Sequence, residues 1–255
     1  MPSFVWSRDP SEAFREPYEY GGQEQFAREA AAVVGYLKER YAAQKSEFPL
    51  LDTSTHRAVW MLQVDALSAL SDALELLEEK RFRVVSRLFR DVVETLDASY
   101  YFALGGNASL KNLAKWYQNE VISHRVFREF VQKHHGSEQA ESLRALYTDL
   151  SKYTHRTFRA LSMSYLLGHN ETAIYDGFRP KERMYVLPHV VSFAYAMLAG
   201  LIKRFVQFSV DTGQLSKEHE LALWEKCLEV ETVSRRFGFG PGQVMRGPEM
   251  PLNEA

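Results

Sequence analysis

The sequence predicts an all-α protein: a bundle of about seven or eight helices joined by short connections. Three observations predict it. First, apolar residues recur at three- and four-residue spacing along segment after segment, as in Trp60, Val64, Leu67, Leu70, Leu74 and Leu77. Second, short stop signals divide these segments: Pro49, Asp52-Thr53-Ser54, Gly105-Gly106 and Gly136. Third, 255 residues with 45% hydrophobic and 25% charged content are those of an ordinary soluble chain with ample core.

Taken in order, residues 1–21 are rich in Pro, Tyr and charge. They read as an extended N-terminal arm that packs aromatics onto the body. A helix over 23–46 places Phe26, Ala30, Val33, Val34, Leu37 and Tyr41 on one side, and Pro49 ends it. Asp52, Thr53 or Ser54 caps a long helix reaching Glu79. After a break near Lys80 comes RVVSRLFRDVVETLDASYYF, apolar over most of its girth and therefore expected to be interior, ended by Gly105-Gly106. One helix from Ser109 to His135 follows, stopped by Gly136, and then the helix carrying Tyr147. Around 167–181 the helical period fails, which predicts a loop or short hairpin. Helices over 183–211 and 216–237 close the fold. From 238 to 255 the chain is Gly/Pro-rich and reads as a flexible tail. The expected division is thus an arm at 1–21, one helical domain at 22–237 and the tail.

A formal net charge of −2 gives no global attraction to nucleic acid. Cys227 is the only cysteine, which removes intrachain disulfides and multi-cysteine zinc sites. The N-terminus lacks a basic region followed by an apolar run, so no signal peptide is expected. The apolar stretch 186–202 is broken by Pro188, His189 and Ser192 and falls short of a ~20-residue span. It reads as a buried helix in a cytoplasmic protein with no membrane partner. There is no Gly-rich phosphate loop, no GxGxxG, no Glu-x-x-His, no His-Glu-x-x-His and no Gly-x-Ser-x-Gly. Neither a cofactor nor a metal site is expected.

Two constellations carry chemistry. On the interior helix, Arg87, Arg90, Glu94 and Tyr101 form one narrow polar strip, and a polar strip on a buried helix needs partners. Arg90 and Glu94 also fit an ordinary i,i+4 ion pair, in the weaker order. In LYTDLSKYTHRTF, Tyr147, Ser151 and His155 recur every fourth residue along one slowly drifting stripe. His155 titrates in the range useful for acid, base or phosphate contact. The plainer alternative is a set of hydrogen-bonding residues at a helix boundary. Arg90 or Glu94 is expected within reach of Ser151 or His155.

FRDVVE on one helix and YTDLSKYTH on a later one resemble an uncharacterised bacterial all-helical family with R-x-x-x-E and Y-x-x-x-S-x-x-x-H motifs, similar to the HEPN superfamily of helical bundles. The match covers about residues 60–205. Many HEPN proteins are metal-independent ribonucleases of toxin–antitoxin and antiviral defence systems. They carry an Arg and a His a few residues apart on a helix at a dimer interface. REFVQKH, with Arg128 and His134, is such a string here, although Glu129 stands where active members usually have Asn, Asp or His. The same string also fits a polar helix C-terminus complementing the dipole. The resemblance implies an RNA substrate, a homodimer or protein partner, and catalysis without a cofactor. Its candidate residues are Arg90, Glu94, Tyr147, Ser151, His155, Arg128 and His134. The alternative is a non-catalytic helical module that binds a partner protein or small ligand.

Overall fold

The computed structural model describes residues 6, 8–18, 20–44, 47–79, 81–135, 145–148, 150–152, 157–158, 165–167, 173–175 and 188–224. The helices are α1 (Pro10–Arg15), α2 (Tyr20–Ala42), α3 (Thr55–Glu78), α4 (Phe82–Leu104), α5 (Asn107–Tyr117), α6 (His124–His135) and α7 (Pro188–Asp211). Residues 145–148, 150–152 and 217–224 are also helical. Two three-residue strands, β1 (Tyr165–Leu167) and β2 (Ala173–Tyr175), pair antiparallel where the helical period fails, with Tyr165 opposite Tyr175. The protein is an all-α helical bundle with this one small hairpin among the described residues.

The bundle is built on α3 and α4, which make the most extensive helix–helix contact among the described residues. Helix α3 starts where its sequence says it does. The Ser54 Oγ accepts from the Arg57 amide at 3.2 Å, and Asp52 Oδ1 accepts from the Ser54 amide at 2.7 Å. Leu67, Leu70, Leu74 and Leu77 are buried, while Trp60 and Val64 pack at the core's edge. Helix α4 stops at Gly105, where a Cβ would lie 2.6 Å from the Tyr101 carbonyl oxygen, so only glycine fits.

Around this pair, α2 lies on α3, α5 and α6 lie on α4, and α7 packs against α1, α2, α3 and α4. Helix α7 contains a stretch, His189–Asp211, long and apolar enough to cross a membrane, but 72% of its apolar window is buried inside the protein. Its apolar girth is accounted for by four neighbouring helices. A buried polar knot also joins α2, α3 and the end of α7. Tyr41 donates to Gln63 Oε1 and lies 2.8 Å from Ser209 Oγ, and Gln63 Nε2 donates to Thr212 Oγ1 at 2.9 Å.

Several sequence expectations are corrected. The arm is not extended throughout. Asp9 accepts from the Ser11 and Glu12 amides, and with Pro10 at the first position it starts α1. Its aromatics do pack onto the body, since Trp6 and Tyr18 are buried. The single helix expected from Ser109 to His135 is two helices. They part at 118–123, where Asn119 adopts φ 61°, a left-handed conformation that Asn tolerates. Gly106, not Ser109, is the cap residue of α5, and the Ser109 hydroxyl donates to the Gly106 carbonyl at 2.8 Å. Helix α4 is not interior all round, because Val84, Arg87 and Asp91 face solvent. Thr157 is not helical, so the helix carrying Tyr147 does not run unbroken to the loop or hairpin expected around 167–181. The expectations for His155, for the helix past 224 and for the tail at 238–255 lie outside the described residues.

Candidate functional site

Arg90 and Glu94 sit one turn apart on α4, about two-thirds shielded from solvent, with Arg90 Nε donating to Glu94 Oε1 at 2.7 Å. The hydroxyl of Tyr147 closes a triangle with them. It accepts from Arg90 Nη2 at 3.2 Å and donates to Glu94 Oε1 at 3.2 Å. The hydrogen bond and charge of Glu94 raise the Arg90 pKa above its usual value. Helix α6 completes this Tyr147 cluster. His124 stacks on the Tyr147 ring at 5.0 Å and 26°, and the Arg128 guanidinium lies 4.7 Å from the ring centre. His124 and Arg128 are one turn apart, so a single face of α6 makes both contacts.

Behind this cluster lies Asp97, one turn beyond Glu94 on α4 and only 2% exposed. Its carboxylate takes two partners from two other helices. Oδ2 is 3.0 Å from His124 Nε2, and Oδ1 accepts from Arg204 Nη2 of α7. A carboxylate accepts only, so His124 carries its proton on Nε2, and its buried Nδ1 has no partner among the described residues. Asp97 therefore joins α4, α6 and α7 at one point.

On the far side of Arg204 opens a cleft of about 1070 Å³. Phe193, Met197 and Leu201 of α7 and Leu146 supply apolar lining, and Asp9 and Asp211 are its exposed carboxylates. Tyr100 and Phe208 pack with ring centres 4.2 Å apart, and His135 lies nearly parallel to Phe208 at 5.6 Å and 4°. His134 meets Tyr100 edge-on at 5.4 Å and stacks on Phe130. The Tyr100 hydroxyl donates to Asp211, and burial together with that carboxylate pushes its pKa up to about 12. Burial, then the positive charge of Arg204, lowers the His135 pKa. Arg204 lies 4.8 Å from the Phe208 ring centre, with its side chain nine-tenths buried. Its Nε and Nη1 atoms, and Nε2 of His135, are buried with no hydrogen-bond partner among the described residues.

The structure brings Arg90, Glu94, Tyr147 and Arg128 into one cluster. Ser151, in the helical residues 150–152, is half-buried. Tyr147 is a partner of both Arg90 and Glu94, and His155 lies outside the described residues. Arg128 and His134 do not meet at one spot: Arg128 lies on Tyr147, whereas His134 lines the cleft. Glu129, the odd residue of that string, pairs with Arg125 at 2.6 Å. Sequence reasoning missed Asp97, His124, Arg204 and Tyr100. Asp97 was available, since it continues the Arg90–Glu94 strip toward Tyr101. Arg204 was visible as a charge within the apolar α7. Among the described residues, no three of His, Cys, Asp and Glu are grouped to hold a metal ion.

The triangle offers a direct test. Tyr147→Phe keeps the ring against His124 and Arg128 and removes only the hydroxyl. Its expected cost is about 1 kcal/mol, a melting temperature lower by about 2–4 °C. An unchanged melting temperature would mean that water serves Arg90 and Glu94 equally well.

Comparison of the chain with protein-family models, with curated proteins and with solved structures returns no match.

Proposed function

We propose that this helical bundle is a ligand-binding module whose cleft, walled by Tyr100, His135, Arg204 and Phe208, takes a small molecule bearing hydrogen-bond acceptors. One observation carries this reading: three buried nitrogens at one cleft, Arg204 Nε, Arg204 Nη1 and His135 Nε2, have no partner among the described residues. Buried polar nitrogens are nearly always paired, and leaving one unpaired costs about 1–3 kcal/mol. Their accessible surface is almost nil, so an acceptor carried by a ligand reaches them only if the cleft wall shifts as the ligand enters. A volume near the ~300–1,000 Å³ of small-molecule sites, lined by apolar Leu104, Leu146, Met197 and Leu201 beside charged and polar groups, fits the same reading.

A second reading, metal-independent cleavage of RNA, is favoured by one further observation. Two imidazoles, His134 and His135, share the cleft with the Arg204 guanidinium. Such a set can bind a phosphate and let one imidazole take the proton of a ribose 2′-hydroxyl, whose oxygen attacks phosphorus while the bond to the 5′-oxygen breaks and the other imidazole, protonated, gives that oxygen a proton, leaving a cyclic phosphate. One experiment addresses both readings. The purified chain is screened by thermal denaturation against a panel of small metabolites, and in parallel incubated with RNA in a chelator. A ligand at about 100 times its Kd is expected to add about 2.7 kcal/mol, a rise of about 5–10 °C in melting temperature. If no compound shifts the transition, the ligand-binding reading fails. RNA products ending in cyclic phosphate, lost in His134→Ala, would instead establish the ribonuclease reading.

A further inference from the structure

A second surface lies apart from the cleft, where the start of α3 meets the connection between α5 and α6. The Asp52 amide donates to the Pro49 carbonyl at 2.9 Å, which makes 49–52 a tight turn with Leu50 and Leu51 at its corners. Such corners are usually glycine or polar. Here the leucines are 89% and 88% exposed, and Val121, in the 118–123 connection, is 99% exposed. Both loops are braced. Arg57 Nη1 donates to the carbonyls of Pro49, Leu50 and Asp52, and the Tyr117 hydroxyl donates to the Ser54 carbonyl at 2.9 Å. The Gln118 and Glu120 amides both donate to the Lys115 carbonyl around the left-handed Asn119. Single apolar residues scattered over a surface need no explanation, but these three stand on one face and are held out in water.

A groove of about 550 Å³ opens on the same face. Along it Met61 is exposed and Trp116, Tyr117 and Ile122 are half-buried, with Val121 on the rim. Arg57 and Glu120 line it too. Among the described residues no carboxylate lies within ion-pair distance of Arg57, and Glu120, 3.7 Å from Lys115, keeps half of its side chain exposed. None of these residues lines the cleft of Arg204.

We propose that this face docks a second copy of the chain, in a two-fold contact where Val121 of each copy enters the groove of the other. A two-fold contact is self-complementary, so one patch must carry both the protrusion and the hollow. This patch carries both. It also carries both members of an ion pair: Arg57 of each copy meets the partner's Glu120 at the rim, which sets the register more than the affinity. Residues 49–54, Arg57, Met61 and 116–127 amount to about the 20 residues a side of a standard interface. The braced loops need little ordering on contact. A small molecule in the groove would leave Leu50 and Leu51 in water, whereas a second copy covers groove and turn together.

Sedimentation of the full chain from about 1 μM to about 1 mM is expected to show a monomer–dimer equilibrium with a Kd below about 100 μM. Val121→Asp and Leu51→Asp change side chains that touch almost nothing, so each is expected to melt with the parent under monomeric conditions and to dimerise at least about tenfold more weakly. Glu120→Arg sets like charges together at the rim and is expected to weaken the dimer about fivefold. Cross-linking locates the contact. With Cys227 replaced by Ser, Val121→Cys and Met61→Cys proteins are mixed and oxidised, and a disulfide between the two chains is expected. Leu221→Cys, 63% exposed and absent from the groove, is expected to give far less of it. A chain that stays monomeric to about 1 mM overturns the inference and leaves the face to a different protein partner. A dimer that forms equally well in Val121→Asp and cross-links no better at Met61 than at Leu221 also overturns it, because its contact lies elsewhere.

Discussion

Asp97→Ala is expected to destabilise the protein by about 3–5 kcal/mol, because it leaves a buried guanidinium without its counter-charge. The Arg204 side chain is only 10% exposed, and two further nitrogens of it have no hydrogen-bond partner among the described residues, none of which offers a second carboxylate bonded to it. His124 Nε2 loses its acceptor in the same step, and with it the orientation that stacks the imidazole on Tyr147. For a chain of this size the loss corresponds to a fall of about 6–20 °C in melting temperature. The penalty belongs to the orphaned charge more than to the pair itself. Asp97→Leu combined with Arg204→Met is therefore expected to cost less than the sum of the two single changes. Chemical denaturation of the four proteins gives the coupling. Single variants that unfold within about 0.5 kcal/mol of the parent would mean that Asp97 does not hold Arg204.

Trp6→Ala is expected to cost about 3–5 kcal/mol, the usual range for truncating a buried aromatic. Trp6 is 1% exposed and packs on Phe26 at 5.3 Å and edge-on to Trp224 at 6.1 Å. Its indole N–H also donates to Glu29 Oε2 at 2.7 Å, and Glu29 is wholly buried on α2. Gln25 Nε2 donates to the other oxygen at 2.8 Å. Trp6→Phe keeps most of the packing and separates the hydrogen bond from the volume, with an expected loss of about 1–3 kcal/mol. Denaturation curves for the two variants measure the two contributions. A Trp6→Ala protein as stable as the parent would show that the N-terminal segment is dispensable to the fold.

The helices were legible because each buries a stripe, and a stripe leaves its period in the sequence. The central place of α4 could be read from Val85, Phe89, Val92, Val93 and Leu96, since so much apolar surface on one helix requires neighbours on several sides. Arg90, Glu94 and Tyr147 were legible for the converse reason, as polar residues on faces that are otherwise apolar. What periodicity cannot give is which helix faces which. Asp97 and Arg204 are 107 residues apart, and only the packing of α7 across α4 makes them partners. The break between α5 and α6 was hidden for a local reason. Asn119 accepts a left-handed backbone without glycine, so no glycine or proline marked it. The start of α1 was readable and was missed, since Asp9-Pro10-Ser11-Glu12 is an ordinary helix opening.

The polar knot of Tyr41, Gln63, Ser209 and Thr212 acts as a register key. Helix α7 is apolar along most of its length, and an apolar rod can slide along apolar neighbours with little change in buried area. A slide of one turn, about 5.4 Å, would carry Ser209 and Thr212 past Tyr41 and Gln63, taking the Thr212 acceptor from the buried Gln63 amide and the Ser209 partner from the buried Tyr41 hydroxyl. Mismatched alignments of the bundle are thereby penalised even though the hydrophobic contacts barely distinguish them. The same alignment sets the height of Arg204 opposite Asp97. A few polar atoms at one end of α7 thus fix where the charged cleft forms near its middle.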